Sequence, residues 1–326
     1  MKLSIHPTSA RRKPAEASTT NYSIWHPNQP ISFVEPEEDD LGLFLMGVYR
    51  HYELTAAENA TEAADCLDDV WDAVEGAADY VVNNLETNDF GPRDASIWEE
   101  GIEFNTFTQV LYVHGLEAAS LLAVEQGEPA LAATYENTAE TIRDAVLRSF
   151  NDSPRGLWND SNRYFNRAVN TDGSARDTLD GSSNLIWVFG LLEADDPRVR
   201  DHRTKTIGRL TNDDWGIARY EGDEFYHSSV FSPGGQYEAA AAEPVWPQMS
   251  MYAALLDHWA GRDDEALARL QWFVSRTGRG FVTPGEPVDW VTGQPLVSTM
   301  IEPVTGAWYQ LALLNYVDEF DPRMPE

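Results

Sequence analysis

Hydrophobic residues recur at helical spacing in paired segments, and long loops separate the pairs. Within residues 62–85, Cys66, Val70, Val74 and Val81 lie four or seven positions apart. This spacing places them on one face of a helix. The same pattern predicts helices over residues 41–54, 62–85, 106–126, 129–150, 179–193, 197–211, 244–260, 263–276 and 302–318.

The loops between the helix pairs are the second regular feature of the chain. They cover residues 86–104, 151–178, 213–241 and 278–300 and are rich in tryptophan, tyrosine and phenylalanine. Loops of more than about 15 residues are usually functional or disordered, and aromatic residues disfavour disorder. Because each loop follows a helix pair, all of them would emerge on one face of a closed ring. We therefore expect an all-α fold, a toroid of paired helices whose loops form one concave site.

The composition narrows the function classes. Lys and Arg number 23 against 54 Asp and Glu, which gives a formal net charge of −31. Nucleic acids and acidic membranes need clustered basic residues, so both are excluded as expected partners. The acidic residues are spread along the chain, and the lysines are limited to Lys2, Lys13 and Lys205. High salt screens such a surface, so we expect a halophilic source.

Cysteine, histidine and the N-terminal residues add further limits. Cys66 is the single cysteine, which excludes an intrachain disulfide, and the seven histidines show no metal-binding spacing. We expect no metal and no cofactor. No segment of about 18 apolar residues predicts a membrane helix, and no apolar run follows the basic residues 11–13. The expected location is cytoplasmic, with residues 1–38 as an N-terminal arm and residues 39–326 as the toroid domain.

The segment WEE at residues 98–100 is the first candidate for acid–base chemistry. Glu99 and Glu100 are adjacent, so they cannot both ionise freely in a confined site. One of them would keep its proton to higher pH, as a general acid must. Trp98 could desolvate the pair and offer a flat face to a sugar ring. The alternative is a solvated acidic turn ahead of a helix, where glutamate is favoured.

Glu286 is the candidate for the second carboxyl. It lies between Gly285 and Pro287, so it cannot join a helix and its direction is fixed. A general base needs a fixed direction to hold a water molecule. The alternative is an ordinary turn carboxylate in solvent.

Two further segments carry candidate binding residues. In ARYEGDEFY, Arg219 and Asp223 stand four residues apart with Tyr220 between them. A guanidinium group suits paired sugar hydroxyls, although a local ion pair is the alternative. Trp246 stands at the head of a predicted helix, as a wall of the site or as a core residue. In LDGSS, Asp180 is expected to cap a core helix.

The order of these segments resembles a known family. WEE, LDGSSNLIWVFGLLEADDPRV, RYEGD, PVWP and EPVDWVTGQPL occur in the order found in the catalytic domain of glycoside hydrolase family 15, the glucoamylase-like enzymes. The resemblance runs from about Asp39 to the C-terminus. It implies a six-hairpin α-toroid and hydrolysis with inversion, for which the two catalytic carboxyls stand about 6.5–9.5 Å apart.

The resemblance also implies a role for each candidate residue. Glu99 resembles the general acid and Glu286 the general base. The other candidates resemble substrate-binding residues: Trp98, Glu100, Arg219, Tyr220, Asp223 and Trp246.

The chain departs from the family pattern at its N-terminal end. The family carries an Arg-Asp pair between its first two helices, whereas EPEEDDLGL here resembles the start of the third helix, with Asp39 at the usual aspartate. The first hairpin and the N-terminal β-sandwich are therefore expected to be missing. An incomplete ring exposes apolar helix faces. Residues 1–38 or a homo-oligomer would cover them.

The leading functional hypothesis is release of glucose from an α-glucan or α-glucoside, with a carbohydrate as the expected partner. Trehalose hydrolysis uses the same carboxyls and stays open. A catalytically impaired, sugar-binding remnant of the fold is a second class of function, motivated by the missing Arg-Asp pair. A helical scaffold that binds proteins is a third class. Retention of both carboxyls and of RYEGD speaks against that scaffold.

Overall fold

The computed structural model describes residues 37–223, 245–276 and 303–324. Within these residues the chain forms nine α-helices. They are α1 (Asp39–Glu58), α2 (Ala60–Asn83), α3 (Thr106–Glu125), α4 (Pro129–Leu147), α5 (Leu185–Val188), α6 (Pro197–Leu210), α7 (Pro247–Trp259), α8 (Asp263–Ser275) and α9 (Pro303–Tyr316). The helix pairs predicted from the hydrophobic pattern are confirmed, apart from one segment.

Local signals fix several of the helix starts. Asn59 caps α2 by accepting a hydrogen bond from the Glu62 N–H at 3.3 Å. Asp196 caps α6 by accepting from the Arg198 N–H at 2.7 Å, and Pro197 occupies the first turn. Both arrangements satisfy backbone donors that a helix leaves unpaired at its N-terminus.

The helix predicted over residues 179–193 is wrong in its extent. The segment forms a 3₁₀ turn at Gly181–Asn184 and the four-residue α5, and then turns at Gly190 with φ at +89°. A left-handed conformation ends a helix, and glycine adopts it without steric cost. Nearly all of the apolar residues of this segment are nevertheless buried. The hydrophobic pattern therefore predicted the burial of this segment correctly but the length of its helix incorrectly.

The helices form an inner series and an outer series. α1, α3, α5, α7 and α9 contact one another in succession, and α2, α4 and α8 pack against α1, α3 and α7 respectively. α6 packs against the 3₁₀ turn at Gly181–Asn184. α3 is apolar and long enough to cross a membrane, but most of it is buried inside the protein, as in the central helix of a core.

In the described parts of the loops between the helices, seven short strands occur. They are β1 (Phe104–Asn105), β2 (Trp158–Asn159), β3 (Tyr164–Phe165), β4 (Ala168–Val169), β5 (Ala175–Arg176), β6 (Thr211–Asp213) and β7 (Gly216–Ile217). All pairs are antiparallel: β1–β4–β5 form one sheet, and β2–β3 and β6–β7 form two hairpins. The β1–β4 pair ties the loop before α3 to the loop before the 3₁₀ turn, and an isolated bridge between Asp180 and Tyr220 ties that loop to the loop before α7.

Two glycines allow α1 and α3 to touch. A Cβ atom added at Gly42 would lie 2.3 Å from the Leu111 carbonyl oxygen, and one added at Gly115 would lie 2.7 Å from the Gly42 Cα. These neighbours are backbone atoms, which cannot rotate away. The close approach of α1 and α3 therefore requires glycine at both positions.

We expect Gly42→Ala to lower the free energy of unfolding by about 1–3 kcal/mol because the two helices must move apart. Gly47→Ala, in the same helix, is the matched control. A Cβ atom at Gly47 meets nothing within 4 Å, so alanine there should stabilise the protein by up to about 1 kcal/mol. Urea unfolding measures both. Equal effects at the two sites would contradict close packing at Gly42.

The first and last described helices expose apolar side chains. Leu43, Phe44 and Leu54 of α1 are exposed, as are Val304, Leu313 and Leu314 of α9. The segment after α9 reaches α1, where the Arg50 guanidinium donates to the Asp321 and Arg323 carbonyl oxygens. Residues 1–36 lie outside the described residues, so coverage by an N-terminal arm or by a second copy stays a prediction.

Candidate active site

The candidate acid Glu99 ends a short 3₁₀ helix, Ser96–Trp98. Its backbone is left-handed, with φ at 52° and ψ at 36°, and its N–H donates to the Ser96 carbonyl at 3.1 Å. This conformation is uncommon for a residue with a side chain. The Glu99 side chain is exposed, whereas its neighbour Trp98 is buried and Glu100 is half-buried. The turn therefore directs one carboxyl outward and holds the two flanking residues inward.

Glu100 is surrounded by cationic groups. Its carboxylate accepts from Arg167 at 2.9 Å, from Arg176 at 3.1 Å and from Arg219 at 3.1 Å. The Tyr220 hydroxyl also donates to it, at 2.6 Å. Such charge-assisted hydrogen bonds fix both the position and the ionisation of a carboxylate.

The pKa of Glu100 follows from these contacts. Burial raises the pKa of Glu100. The hydrogen bond from Tyr220 and the charges of Arg167 and Arg219 together lower it by more, so the net pKa lies below its ordinary value. Glu100 is therefore ionised at neutral pH and is unsuited to donate a proton. Of the two adjacent glutamates, Glu100 is the fixed anion.

Arg219 lies at the centre of the aromatic residues of the site. Its guanidinium donates twice to Asp223, at 2.9 Å and 2.7 Å. The same group lies 5.0 Å from the Trp98 ring, 4.6 Å from the Tyr220 ring and 5.2 Å from the Trp246 ring. Burial lowers the pKa of Arg219, but Asp223 and Glu100 raise it more, so this buried cation is held in place by charge and by π faces.

The two tryptophans meet edge to face. The ring centroids of Trp98 and Trp246 are 5.3 Å apart, and the two residues are 7% and 3% exposed. Trp246 immediately precedes α7. This burial fits a core tryptophan as well as a wall of the site, so the binding role of Trp246 stays a prediction. The Trp98 indole N–H donates to both carboxylate oxygens of Asp180, at 3.1 Å and 3.0 Å.

The structure brings most of the predicted site residues together. The residues in mutual contact are Trp98, Glu100, Arg219, Tyr220, Asp223 and Trp246. Glu99 adjoins this cluster. Glu286 lies outside the described residues, so the separation of the two candidate carboxyls stays a prediction. The role of each residue toward a substrate also stays a prediction.

Comparison with known proteins decides the family. Residues 36–280 match the family described as glycosyl hydrolases family 15. The chain belongs to this family. A glycosyl hydrolase family 15 member is expected to form a helical toroid, and the paired helices agree with that.

Individual relatives of this glycosyl hydrolase family 15 chain are distant. A trehalase of Mycolicibacterium smegmatis (strain ATCC 700084 / mc(2)155) is 28% identical over 195 residues, which are 59% of this chain and 25% of the trehalase. A bacterial glucoamylase solved in complex with acarbose aligns with a TM-score of 0.67 at 17% identity, over 89% of this chain and 42% of that chain.

A glycosidase variant in complex with glucose aligns with a TM-score of 0.62 at 20% identity, over 90% of this chain and 70% of that chain. At these identities the structural likeness shows the shared toroid. The chain spans about a quarter of the trehalase and less than half of the glucoamylase.

Two arginines that bind Glu100, and the contact between Asp180 and Trp98, were not predicted from the sequence. Arg167 and Arg176 bind Glu100 from 67 and 76 positions away, and no spacing links them to it. Their presence in one loop of a strongly acidic chain was the available signal. Asp180 caps the 3₁₀ turn through the Ser182 N–H, as expected, and also holds Trp98.

The carboxyl groups of Glu38, Asp39 and Asp94 are buried close to one another. The Glu38 N–H donates to Asp94 at 3.2 Å, and the Thr108 hydroxyl donates to the same Asp94 oxygen at 2.9 Å. Burial raises the pKa of Asp94 to about 7, against the opposing effect of these hydrogen bonds. Burial also raises the pKa of Asp39, and the nearby charge of Asp94 adds to that shift. No group of three metal-binding side chains occurs in the described ranges.

We expect Asp94→Asn to change how stability depends on pH. The pKa of Asp94 is higher in the folded state, so its stabilising contribution is complete below about pH 4 and is lost as pH rises through about 7. The loss has a slope of up to about 1.4 kcal/mol per pH unit. Asparagine cannot ionise, so the variant should gain stability relative to the parent by at least about 1 kcal/mol between pH 5 and pH 8.

The difference between the two proteins is the quantity to measure. Burial lowers the pKa of His202 to about 3, which gives a slope of opposite sign in the acid range, but it does so in both proteins and cancels. Urea unfolding at several pH values supplies the two curves. Parallel curves between pH 5 and pH 8 would contradict a protonated Asp94.

Proposed function

We propose that this chain hydrolyses α-glucosidic bonds by inversion and releases glucose from an α-glucan or an α-glucoside. In this proposal Glu99 protonates the leaving oxygen, and Glu286 activates the water that attacks from the opposite face. Membership of glycosyl hydrolases family 15 supports a glycoside hydrolase. Inversion at the anomeric carbon and the α-glucosidic substrate are the parts that we propose.

The observation that carries the proposal is the turn at Glu99. The exposed carboxyl of Glu99 stands between buried Trp98 and Glu100, which is ionised and already bonded to three arginines. A general acid must reach the substrate and be able to hold a proton. Of the two adjacent glutamates, Glu99 meets the first condition, and the bonded carboxylate of Glu100 fails the second.

The cationic cluster supports recognition of a sugar. Arg219, Asp223 and Tyr220 present hydrogen-bonding groups beside aromatic rings, a combination that fits the hydroxyls and the apolar face of a pyranose. The structural neighbours in complex with acarbose and with glucose support a glucose-type ligand. The trehalase relative supports the rival substrate, trehalose, for the same carboxyls.

A non-catalytic, sugar-binding role is the second class of function. The Arg-Asp pair expected between the first two helices of the family is missing from the segment before Asp39. A protein that kept the site but lost part of the cleavage subsite would bind sugar without cleaving it.

One assay separates these functions. The purified 326-residue chain is incubated with maltose, maltodextrin or trehalose in molar KCl and in low salt, because the acidic composition favours high salt. Glucose release is measured enzymatically, and the anomer of the first product is read by NMR. With maltodextrin, β-glucose as the first product from the non-reducing end supports the proposal, whereas α-glucose rejects inversion. With trehalose, inversion gives equal amounts of α- and β-glucose, whereas retention gives α-glucose alone. Sugar binding without release under any condition supports the non-catalytic role.

A further inference from the structure

Arg167 lies between the two residues that flank Glu99. Its terminal nitrogen donates to the Glu100 carboxylate at 2.9 Å. Its Nε lies 3.2 Å from Asp180 Oδ2, an ion pair without the alignment of a hydrogen bond. Asp180 in turn accepts the Trp98 indole N–H. One side chain therefore contacts the carboxylate partner of Trp98 and the carboxylate of Glu100.

The backbone at Arg167 is tied to the start of α3. The Thr106 N–H donates to the Arg167 carbonyl at 2.9 Å, and the Thr106 hydroxyl donates to the Asn166 carbonyl at 2.6 Å. The next residues form β4, which pairs with β1 just before α3. Arg167 itself is 4% exposed, and its guanidinium lies 4.5 Å from the Tyr220 ring. Its position is therefore set by the same rigid elements that carry the WEE loop.

Glu99 depends on its neighbours for orientation. Its backbone N–H bonds to Ser96, and the structure gives its exposed side chain no hydrogen bond or ion pair within the described part of the chain. The left-handed backbone of Glu99 is costly, so it persists where the surrounding structure enforces it. The residues before and after it, Trp98 and Glu100, are the ones held by contacts.

We propose that Arg167 is a positioning residue that sets the direction of the Glu99 carboxyl by holding Glu100 and the Trp98–Asp180 pair together. Its effect on catalysis rests on the proposed function, in which Glu99 donates the proton. Its effect on the turn at Glu99 is independent of the proposed function.

Arginine suits this task because its planar fork presents donors in two directions at once. A lysine ammonium is a compact charge on a flexible stem and would satisfy one carboxylate at a time. Arg176 also binds Glu100, but its second partner is Glu103 and it does not contact Asp180. The link between the two neighbours of Glu99 is therefore specific to Arg167 among these two arginines.

Arg167→Lys tests the proposal through the kinetics. We expect kcat to fall by roughly 100-fold, as for a misplacement of about 1 Å, with KM within about 3-fold of the parent value. Arg163→Lys is the matched control, because it makes the same change in the neighbouring hairpin turn, where the side chain is 58% exposed and pairs with Asp201. The control should keep the parent kcat.

The second readout is independent of activity. The indole N–H resonance of Trp98, assigned by its loss in Trp98→Phe, should shift in Arg167→Lys, and its exchange with solvent should accelerate by about 10-fold or more. The other indole resonances and the melting temperature should stay close to those of the parent. A merely structural role would instead lower the melting temperature and perturb the indoles of other tryptophans.

The outcomes separate the two proposals. A parent protein without glycosidase activity rejects the proposed function, while the Trp98 resonance still decides the role of Arg167. An unchanged Trp98 resonance together with an unchanged kcat overturns the role of Arg167. If Arg167→Lys fails to fold, Arg167→Gln removes the charge and the planar fork, leaves Asp180 and Trp98 unchanged, and should shift the same resonance. No shift there overturns the proposal as well.

Discussion

Replacing Asp257 with alanine is expected to lower the free energy of unfolding by about 3–5 kcal/mol, because it would leave the buried cation Arg269 without its carboxylate partner. Asp257 lies in α7 and is fully buried. Its carboxylate binds Arg203 at 2.7 Å, Arg262 at 2.8 Å and Arg269 at 2.8 Å. These arginines come from α6, from the turn before α8 and from α8.

The geometry explains why the loss should be large. Arg269 is buried and also donates to the Trp215 carbonyl, so it cannot turn to solvent when Asp257 is removed. Burial raises the pKa of Asp257, but the charges of Arg269 and Arg203 lower it more, and the net pKa falls. The carboxylate therefore stays charged through the neutral range and holds three segments together.

Urea unfolding at constant KCl measures the change. Asp72→Ala, on the exposed face of α2, removes the same group at the surface and should change stability by no more than about 0.5 kcal/mol. Asp257→Asn keeps the shape and removes the charge, so its loss should fall between the two. A loss below about 1 kcal/mol for Asp257→Ala would show that the arginines are solvated without their partner.

Glu99→Gln is expected to lower kcat for maltose by about 100- to 10,000-fold, the usual contribution of general acid catalysis. Glutamine keeps the size of the side chain and cannot donate a proton to the leaving oxygen. Because Glu99 is exposed and its side chain is not part of the ion-pair cluster, the melting temperature should stay near that of the parent. Initial rates of glucose release measure the effect.

The leaving group gives this prediction a sharper test. In p-nitrophenyl α-glucoside the leaving group is p-nitrophenolate, which departs without protonation. Glu99→Gln should therefore lose much less activity on this substrate than on maltose. Glu286→Gln, which removes the proposed base, should lose similar activity on both. Glu221→Gln is the control, because Glu221 is exposed, pairs with Arg209 and lies next to Tyr220. Equal losses on both substrates for Glu99→Gln would contradict its role as the acid.

The helices could be predicted largely from the local sequence. The pattern predicts residues 106–126 and 129–150, and the structure has Thr106–Glu125 and Pro129–Leu147. The spacing of apolar residues and the proline at the first turn of α4 determine helix positions through neighbours only a few residues away, so both helices could be predicted from the sequence. The helix predicted over residues 179–193 was wrong because Gly181–Asn184 form a 3₁₀ turn and Gly190 turns the chain after the short α5. Apolar residues are buried in either conformation, so the apolar pattern alone could not separate them.

The candidate site shows the opposite case. Motif order predicted the segments that meet, and the structure brings Trp98, Arg219 and Trp246 into contact. The distinction between Glu99 and Glu100 could not be predicted, because it depends on Arg167 and Arg176, which are distant along the chain. Adjacent glutamates look equivalent in sequence, and only their surroundings separate an exposed carboxyl from a fixed anion.

The sequence by itself determined the paired helices, the aromatic loops and the family. Periodicity and capping residues act over a few positions, and the order of the motifs is read directly along the chain. The tertiary structure alone decided which loop arginines bind Glu100, which aspartate holds Trp98 and which carboxyls are buried with raised pKa. The physical reason is distance. Electrostatic and desolvation energies act across a few ångströms of space, and residues that lie that close in the fold are separated by dozens of positions in the chain.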